Sequence, residues 1–359
     1  METTKPTEDY LPTAPETGGM AFTNRQIDLF QTFLCNTTQE REQLSNTIEL
    51  WDSIPRYSVS RQAMGKLRSE SGGFLNLLKL EFAYKGMQLK AIIQPARIEG
   101  PDGTAQDYYP GANEELVEDA LRKIAAEQQH GFFDKSNYRS GVIFTLHSLR
   151  KELRKRGHTR SYQQIMLSLS VLSGSVIELR AADGKNPEAF SRSPYFPFLA
   201  AVSRQKLNED PDAKWIVQFH PLVTQSIETI TYRQFDYHRM MSLPTQLARW
   251  IHKQLAVKFT FAGMLANPFE IRYSTIKRDS AMLNRNRERN NVHDVDEALR
   301  QLIDSCVLRD VQKNVVTAAR SQIVDVVYLL FPTADFVREV KAANKRLLEV
   351  EKTQNKAKR

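Results

Sequence analysis

Two amphipathic helices separated by a short cationic joint constrain this chain more than any other feature. Leu146, Leu149 and Leu153 recur at spacings of three and four, which predicts a buried helix face beginning after Thr145 and ending at Gly157. Tyr162, Ile165, Met166, Leu169 and Leu172 line the inner face of a second helix, with Arg160, Gln163, Gln164, Leu167 and Ser168 left outside. Gly174 then opens a strand, Ser175 to Arg180. The joint, Arg150 to Arg160, holds six Lys/Arg against one Glu, a local net charge of +5. Helix, short turn, helix, strand is the plan of a winged helix, whose outward Arg, Gln and Ser side chains reach base edges and phosphates in a major groove. A lone basic run equally suits a solvated charged helix on an ordinary domain, so the rest of the chain has to decide.

Its overall charge leans toward an anionic partner. With 359 residues, 50 Lys+Arg against 42 Asp+Glu and a net charge of +8, the chain has length for two domains and a modest basic excess. The first twenty residues set Lys5 against Glu2, Glu8, Asp9 and Glu16 and include three prolines, which predicts disorder rather than a signal peptide. No apolar run approaches the roughly 18 residues of a membrane span, so no membrane partner is expected. Two cysteines, Cys35 and Cys306, argue for a reducing, cytoplasmic setting and against a disulfide framework or zinc site.

Along the chain, a helix around Asn24 to Leu34 precedes a polar linker through Asn46. Phe74 to Tyr84 and Met87 to Arg97 read as strands joined at Lys85-Gly86, with Pro95 interrupting the second near its end. Leu116, Ala120 and Ile124 share one face of a helix from about Asn113 to Gln128. Arg180 to Lys214 is a long excursion returning through Trp215 to Phe219, as in a wing with a long loop.

A second copy of the pattern begins at Met241. Ser242 is placed to cap a helix carrying Leu243, Leu247, Trp250, Ile251 and Leu255, with Pro244 in its first turn. Ile271 to Ser274 reads as a strand, Thr275 to Leu283 and Asn286 to Asp304 as helices, and Val307 to Lys313 with Ile323 to Leu330 as a hairpin. The fold class is therefore α+β and helix-rich, two tandem winged-helix domains with a flexible N-terminus and a C-terminal helical tail. Its expected divisions are 1–48, 49–213, 214–335 and a basic tail at 336–359.

The expected DNA-binding residues fall in two groups. Lys151, Arg154, Lys155, Arg156, Arg160, Gln163 and Gln164 come from the first unit. The second supplies Lys277, Arg278, Arg285, Asn286, Arg287, Arg289, Asn290 and His293, since guanidinium forks and amides suit guanine and adenine edges. Asn286, Arg287, Asn290 and His293 are expected at bases, and Lys277 and Arg278 at the backbone. Asp294, Asp296 and Glu297 would repel phosphate, which fits a recognition helix entering the groove by its N-terminal residues.

Three segments carry a family resemblance: Ile54-Pro55-Arg56, then Ser242-Leu243-Pro244-Thr245 with Ala248-Arg249, then Glu297 through Leu308. Taken in order over roughly residues 50 to 330, they resemble plasmid replication initiators of the tandem winged-helix, iteron-binding type. The resemblance implies binding of direct repeats in double-stranded origin DNA, opening of adjacent A+T-rich DNA, plasmid copy control, and recruitment of the host initiator and replicative helicase. It implies no enzyme activity and no cofactor. The 181–213 excursion and the C-terminal tail depart from the family.

The residues also speak against catalysis and metal binding. There is no Gly-x-x-x-x-Gly-Lys-Ser/Thr loop, and no two histidines flank a single hydrophobic residue as rolling-circle enzymes require. The His293-Asp294 dipeptide lacks further ligands, and Asp294 with Glu297 suits a helix start without chemistry. A transcriptional repressor on an inverted repeat is the alternative, and an RNA-binding or structural interaction protein a third class. Leu75, Leu77, Leu78, Leu80, Phe82, Leu89, Ile92 and Ile93 exceed what one face of an isolated hairpin buries, which predicts a homodimer through the first domain unless they pack at home.

Overall fold

A computed structural model of the protein describes residues 37–357 apart from 101, 128–130, 135, 182–189, 203–212, 262–266 and 318–322. The helix expected at Asn24 to Leu34, and Cys35, lie outside the described residues. The chain mixes helix and strand. It opens with α1 (Thr38–Gln43), β1 (Leu44–Ile48), α2 (Arg61–Glu70), β2 (Leu78–Tyr84), β3 (Met87–Gln94), β4 (Ala96–Glu99), β5 (Ala105–Tyr108) and α3 (Ala112–Ala126). It continues with β6 (Gly131–Asp134), β7 (Arg139–Thr145), α4 (Leu146–Lys155), α5 (Tyr162–Gly174), β8 (Val176–Ala181), β9 (Phe190–Pro194), β10 (Phe198–Val202) and β11 (Lys214–Gln218). Then come α6 (Pro221–Thr229), β12 (Tyr232–Asp236), α7 (Tyr237–Ser242), α8 (Gln246–Lys258), β13 (Phe269–Arg272) and α9 (Tyr273–Ser280). The last elements are α10 (Glu288–Asp304), β14 (Leu308–Thr317), β15 (Ile323–Pro332) and α11 (Ala334–Ala357).

Helix, strand, helix, helix occurs twice, as α3-β7-α4-α5 and as α8-β13-α9-α10. Each time the strand after the first helix pairs antiparallel with a strand that follows the last helix, β7 with β11 and β13 with β15. In the second unit β14 completes a three-stranded sheet in the order β13-β15-β14. The first unit differs. Its β8 pairs with β3 and β9 rather than with β11, and β10 pairs with β11, so the excursion after Arg180 feeds two separate sheets and is not one wing loop.

Two apolar cores form. One gathers Ile48 through Met241 together with Ala256 and Val350, and the other runs from Leu243 to Val340. The strand Lys214–Gln218, placed in the second unit by the sequence reading, therefore packs with the first core. The changeover falls between Met241 and Leu243.

Several local expectations are corrected. Residues 37–48 are not a flexible linker: α1 has a Thr37/Glu40 capping box, and β1 is buried and paired with β12 from Leu44↔Asp236 to Ile48↔Tyr232. Polar residues mislead there because Ser45, Asn46 and Thr47 are buried. Thr245, not Ser242, caps α8, its hydroxyl accepting from the Ala248 N–H. Pro244 disfavours helix at the residue before it, and Leu243 is extended. The hairpin β2–β3 sends Leu78, Leu80, Phe82, Leu89 and Ile93 into its own core, while Leu77 stays exposed. On the opposite face Lys79, Glu81 and Lys90 stand beside Ile92. The C-terminal helix is no free tail, since Phe336 and Val340 belong to the second core and Val350 to the first.

Candidate nucleic-acid interface

The exposed N-terminal end of α10 is the best-formed candidate surface. Its inner face, Val292, Val295, Leu299 and Leu302, is buried and sets the helix angle, while Asn286, Arg287, Arg289, Asn290 and His293 stand exposed. Among the described residues, Asn286, Arg287, Arg289 and Asn290 make no side-chain hydrogen bond or ion pair, so their donors and acceptors are available. Arg287 is the N-cap, and no side chain caps the helix. The Asn290 N–H donates to the Arg287 carbonyl at 2.9 Å, which leaves the Glu288 and Arg289 N–H groups of the first turn beside two arginines, a combination suited to an anion such as phosphate.

A buried residue holds that end in shape. The Asn291 carboxamide accepts from the Arg285 N–H at 2.9 Å and donates to the Arg285 carbonyl at 3.1 Å, folding residues 285–287 back against the helix. Glu288 receives Lys277 and the Tyr273 hydroxyl, and these hydrogen bonds hold its carboxyl below the usual range. Asp296 accepts from Tyr328 at 2.8 Å and from Lys313 at 2.6 Å, which ties the β14–β15 hairpin to α10. Asp294 pairs with Arg285, and Glu297 with Arg300, whose hydrogen bonds pull the glutamate to about 2. The acidic residues in the middle of α10 therefore neutralise local cations. Asn291 and Asp296 are the supporting groups that sequence reasoning missed: the partners of Asp296 lie 17 and 32 residues away, and no spacing rule marks the bonds of Asn291 to the Arg285 backbone six residues back.

Several expected contacts are already engaged. Lys277 is held by Glu288, Arg278 by Asp279 at 2.7 Å, and Arg285 by Asp294. Any of these reaches DNA only by sharing or exchanging its carboxylate.

In the first unit, Thr145 caps α4, and Gly157 at φ 84° ends it, with the His158 N–H on the Leu153 carbonyl at 2.9 Å. Lys151 and Arg154 project into solvent without a side-chain partner among the described residues, and Lys155 pairs with Glu42. Arg156 is corrected: it is buried, bonded to Glu152 at 2.9 Å, to the Glu42 carbonyl at 2.8 Å and to His238, and cannot touch DNA. Arg160 is half-buried, donating to the side-chain Oδ1 of Asn113 at 3.1 Å, where burial lowers its pKa. Gln163 is exposed, but Gln164 turns back to accept from the Ser161 N–H at 3.0 Å as part of the α5 cap. Ser168, read as outward, is buried on Glu114 at 2.7 Å. The candidate cationic surface of this unit thus reduces mainly to Lys151, Arg154 and Lys155.

Between the two units lies a buried ionic seam that periodicity did not reveal. Helix α3 reads as amphipathic, yet Glu115, Glu118, Asp119 and Arg122 on its polar side are also buried. Arg122 bonds Asp52 at 2.8 Å and Asp119 at 2.6 Å, and Arg56 bonds Asp52 at 2.9 Å and Glu118 at 3.0 Å. From α8, Lys253 reaches Asp119 at 2.6 Å and Glu115 at 3.2 Å, while Gln254 donates to the Asp52 carbonyl at 3.2 Å. Burial alone would raise Asp52, but Arg122 and Arg56 outweigh it and keep the carboxyl well below its ordinary value. At Asp119 burial prevails over Lys253 and Arg122, and the pKa is raised. The Ile54-Pro55-Arg56 segment therefore delivers a guanidinium to this seam. Arg249 is likewise internal, donating to the Leu243 carbonyl at 3.1 Å.

No family model matches the chain, and no curated protein does. Among solved structures it is similar to a selenomethionine derivative of domains 2 and 3 of RctB, at TM-score 0.46 and 11% identity, over 72% of this chain and 91% of that one. A second structure of RctB domains 2–3 gives 0.44 and 10%, over 74% and 95%. The Pi initiator protein in complex with iteron DNA gives 0.36 and 8%, over 82% and 99%.

Proposed function

We propose that the chain is a plasmid replication initiator built on two winged-helix units, which binds direct repeats in double-stranded origin DNA, helps open the neighbouring duplex and engages the host initiator and replicative helicase. The observation that carries the reading is the N-terminal end of α10. Unpaired guanidinium and amide groups sit there on a helix braced from behind by a hairpin, the arrangement by which recognition helices meet base edges. On this reading α9 lies toward the DNA backbone, α10 enters the major groove, and Lys151 and Arg154 add sequence-independent contacts to phosphate. The units divide between Met241 and Leu243. The protein acts by binding and carries no catalytic step of its own.

Footprinting on the DNA flanking its own gene tests this. The expected result is protection of tandem direct repeats, about two helical turns or roughly 20 bp each, beside an A+T-rich segment. Protection of a single inverted repeat would replace the initiator by a repressor. Purified protein that nicks supercoiled origin DNA with Mg²⁺, or hydrolyses ATP above background, would overturn the non-enzymatic reading.

A further inference from the structure

Three helices start where the two units meet, and none has an acidic residue in its first turn: α2 after Ser60, α5 after Ser161 and α8 after Thr245. Hydrogen bonds hold these starts together. Gln246 of α8 donates to the Tyr57 carbonyl at 2.9 Å, just ahead of α2. His158, just ahead of α5, donates to the Met241 carbonyl at 2.7 Å, and Arg249 of α8 donates to the Leu243 carbonyl at 3.1 Å. Arg160 Nε reaches Asn113 at the start of α3, whose capping Gly111 sits so near α2 that a Cβ there would stand 3.2 Å from the Val59 carbonyl. Arg61, Arg160 and Arg249 are thereby drawn to one place. Burial lowers the Arg160 pKa, and Arg61 and Arg249 lower it further against the pull of Glu114.

Arg249 sets this place apart. Among the described residues four arginines are buried, and Arg56, Arg122 and Arg156 each pair with a carboxylate. Arg249, only 4% exposed, meets nothing but the Leu243 and Pro244 carbonyls. Its Nη1 makes those bonds, its Nε is sealed without a partner, and its Nη2 keeps access to solvent with no partner. Buried charges are normally paired, because carbonyls alone do not replace the hydration and counter-charge they lose. The Arg160 Nη2 is also uncommitted, and Arg61 is exposed without a side-chain partner among the described residues. The carboxylates at the start of α3 are already engaged, Glu114 by the Gly111 N–H and Ser168, Glu115 by Lys253. Three guanidiniums thus adjoin three helix starts whose partial positive charge no acid offsets. An anion with several acceptor oxygens fits that arrangement best.

We propose that this junction is a seat for a phosphate group, filled by a backbone phosphate of the duplex and held by Arg249, Arg160 and Arg61. The inference rests on the DNA-binding reading above and adds to it a contact at the join of the two units, since Arg61 and Arg160 come from the first and Arg249 from the second. A phosphate there would supply the counter-charge that Arg249 lacks within the protein.

Binding of the full chain to a random-sequence duplex of about four helical turns, over a salt series, tests the seat without requiring an origin. Arg61→Gln with Arg249→Gln should weaken binding about tenfold at low salt and flatten the slope of log affinity against log salt by about 0.9, the value of one phosphate. Inorganic phosphate is the second probe. It stabilises proteins in general by exclusion from their surfaces, so the readout is a difference between chains. At equal ionic strength, phosphate in place of chloride should raise the thermal midpoint of the wild type more than that of Arg249→Gln. Arg61 is exposed, so Arg61→Gln alone carries both measurements if Arg249→Gln does not fold. Wild-type affinity and slope in the variants, with an equal response to phosphate, would make Arg249 only a brace for the Leu243 carbonyl and overturn the proposal. A phosphate response lost in the variants while their DNA binding stays unchanged would assign the seat to free phosphate and overturn its filling by DNA. A wild type that binds no duplex at all would instead sink the DNA-binding reading, and this inference with it.

Discussion

Arg287 and Asn290, together with Asn286 and Arg289, are exposed and uncommitted, unlike the paired polar residues around α10, and base recognition falls to such residues first. Replacing either by Ala should cost about 1–3 kcal/mol of discrimination at one base position while leaving non-specific binding nearly unchanged, as a competition assay against altered repeats would read. Lys253 carries the opposite kind of role. It is buried between Asp119 and Glu115, so Lys253→Met strands negative charge in the seam and should destabilise the fold by about 3–5 kcal/mol in urea unfolding. Glu339 adds a pH dependence. Burial raises it from 4.5 to about 7, against the opposing pull of Arg239. Because the folded state binds this proton more tightly than the unfolded state, its contribution is fully present below about pH 4.5 and is lost as pH rises toward 7. That slope amounts to roughly 3 kcal/mol and should be absent from Glu339→Gln, measured as unfolding free energy across the range.

The helix α10 and its hairpin work together as an element. The Asn291 staple shapes the approach to the helix, and Asp296 fixes the hairpin beside it. Asn291→Ala should therefore weaken specific binding without changing its salt dependence, because it loosens residues 285–287 and leaves every phosphate-binding cation in place. Lys151→Ala with Arg154→Ala should do the reverse. Affinity should fall on every sequence, and the slope of log affinity against log salt should flatten by about 0.9 for each phosphate that the variant no longer neutralises. Filter binding over a salt series separates the two, and equal effects of both changes would remove the division between reading and anchoring.

For the molecule as a whole, the seam from Asp52 and Arg56 through α3 to Lys253 joins the halves by hydrogen-bonded charges rather than a polar linker. Helix α11 adds a second connection, through Arg346 to Glu40 and Gln234. The two units should accordingly unfold in one transition, seen as coincident near-UV and far-UV circular dichroism curves. Their DNA contacts should also be additive along the duplex. Residues 243–359 alone, if folded, should protect about one helical turn, whereas the full chain protects about two. Equal footprints would confine DNA binding to the second unit.

The amino-acid sequence determined what depends on neighbours within a few positions. The 3.6-residue spacing of Leu146, Leu149 and Leu153 fixed α4, Thr145 and Gly157 fixed its ends, and the order strand, helix, helix, hairpin after α8 was readable from apolar periodicity and turn residues. It also carried the cluster of arginines and asparagines before α10, because composition at an exposed helix start is local. Tertiary structure alone decided which of those cations are free. Arg156 and Arg154 look equivalent in sequence, yet one is buried on Glu152 and the other faces solvent. It also turned the polar residues of β1 inward, where Asp52 accepts from Thr47, and buried the charged side of α3, because partners remote in sequence, such as Arg56 for Glu118 and Lys253 for Asp119, supply the hydrogen bonds that make such burial tolerable. Periodicity reports a preference for water or oil, and where a polar group finds its partner inside the protein that preference no longer predicts its place.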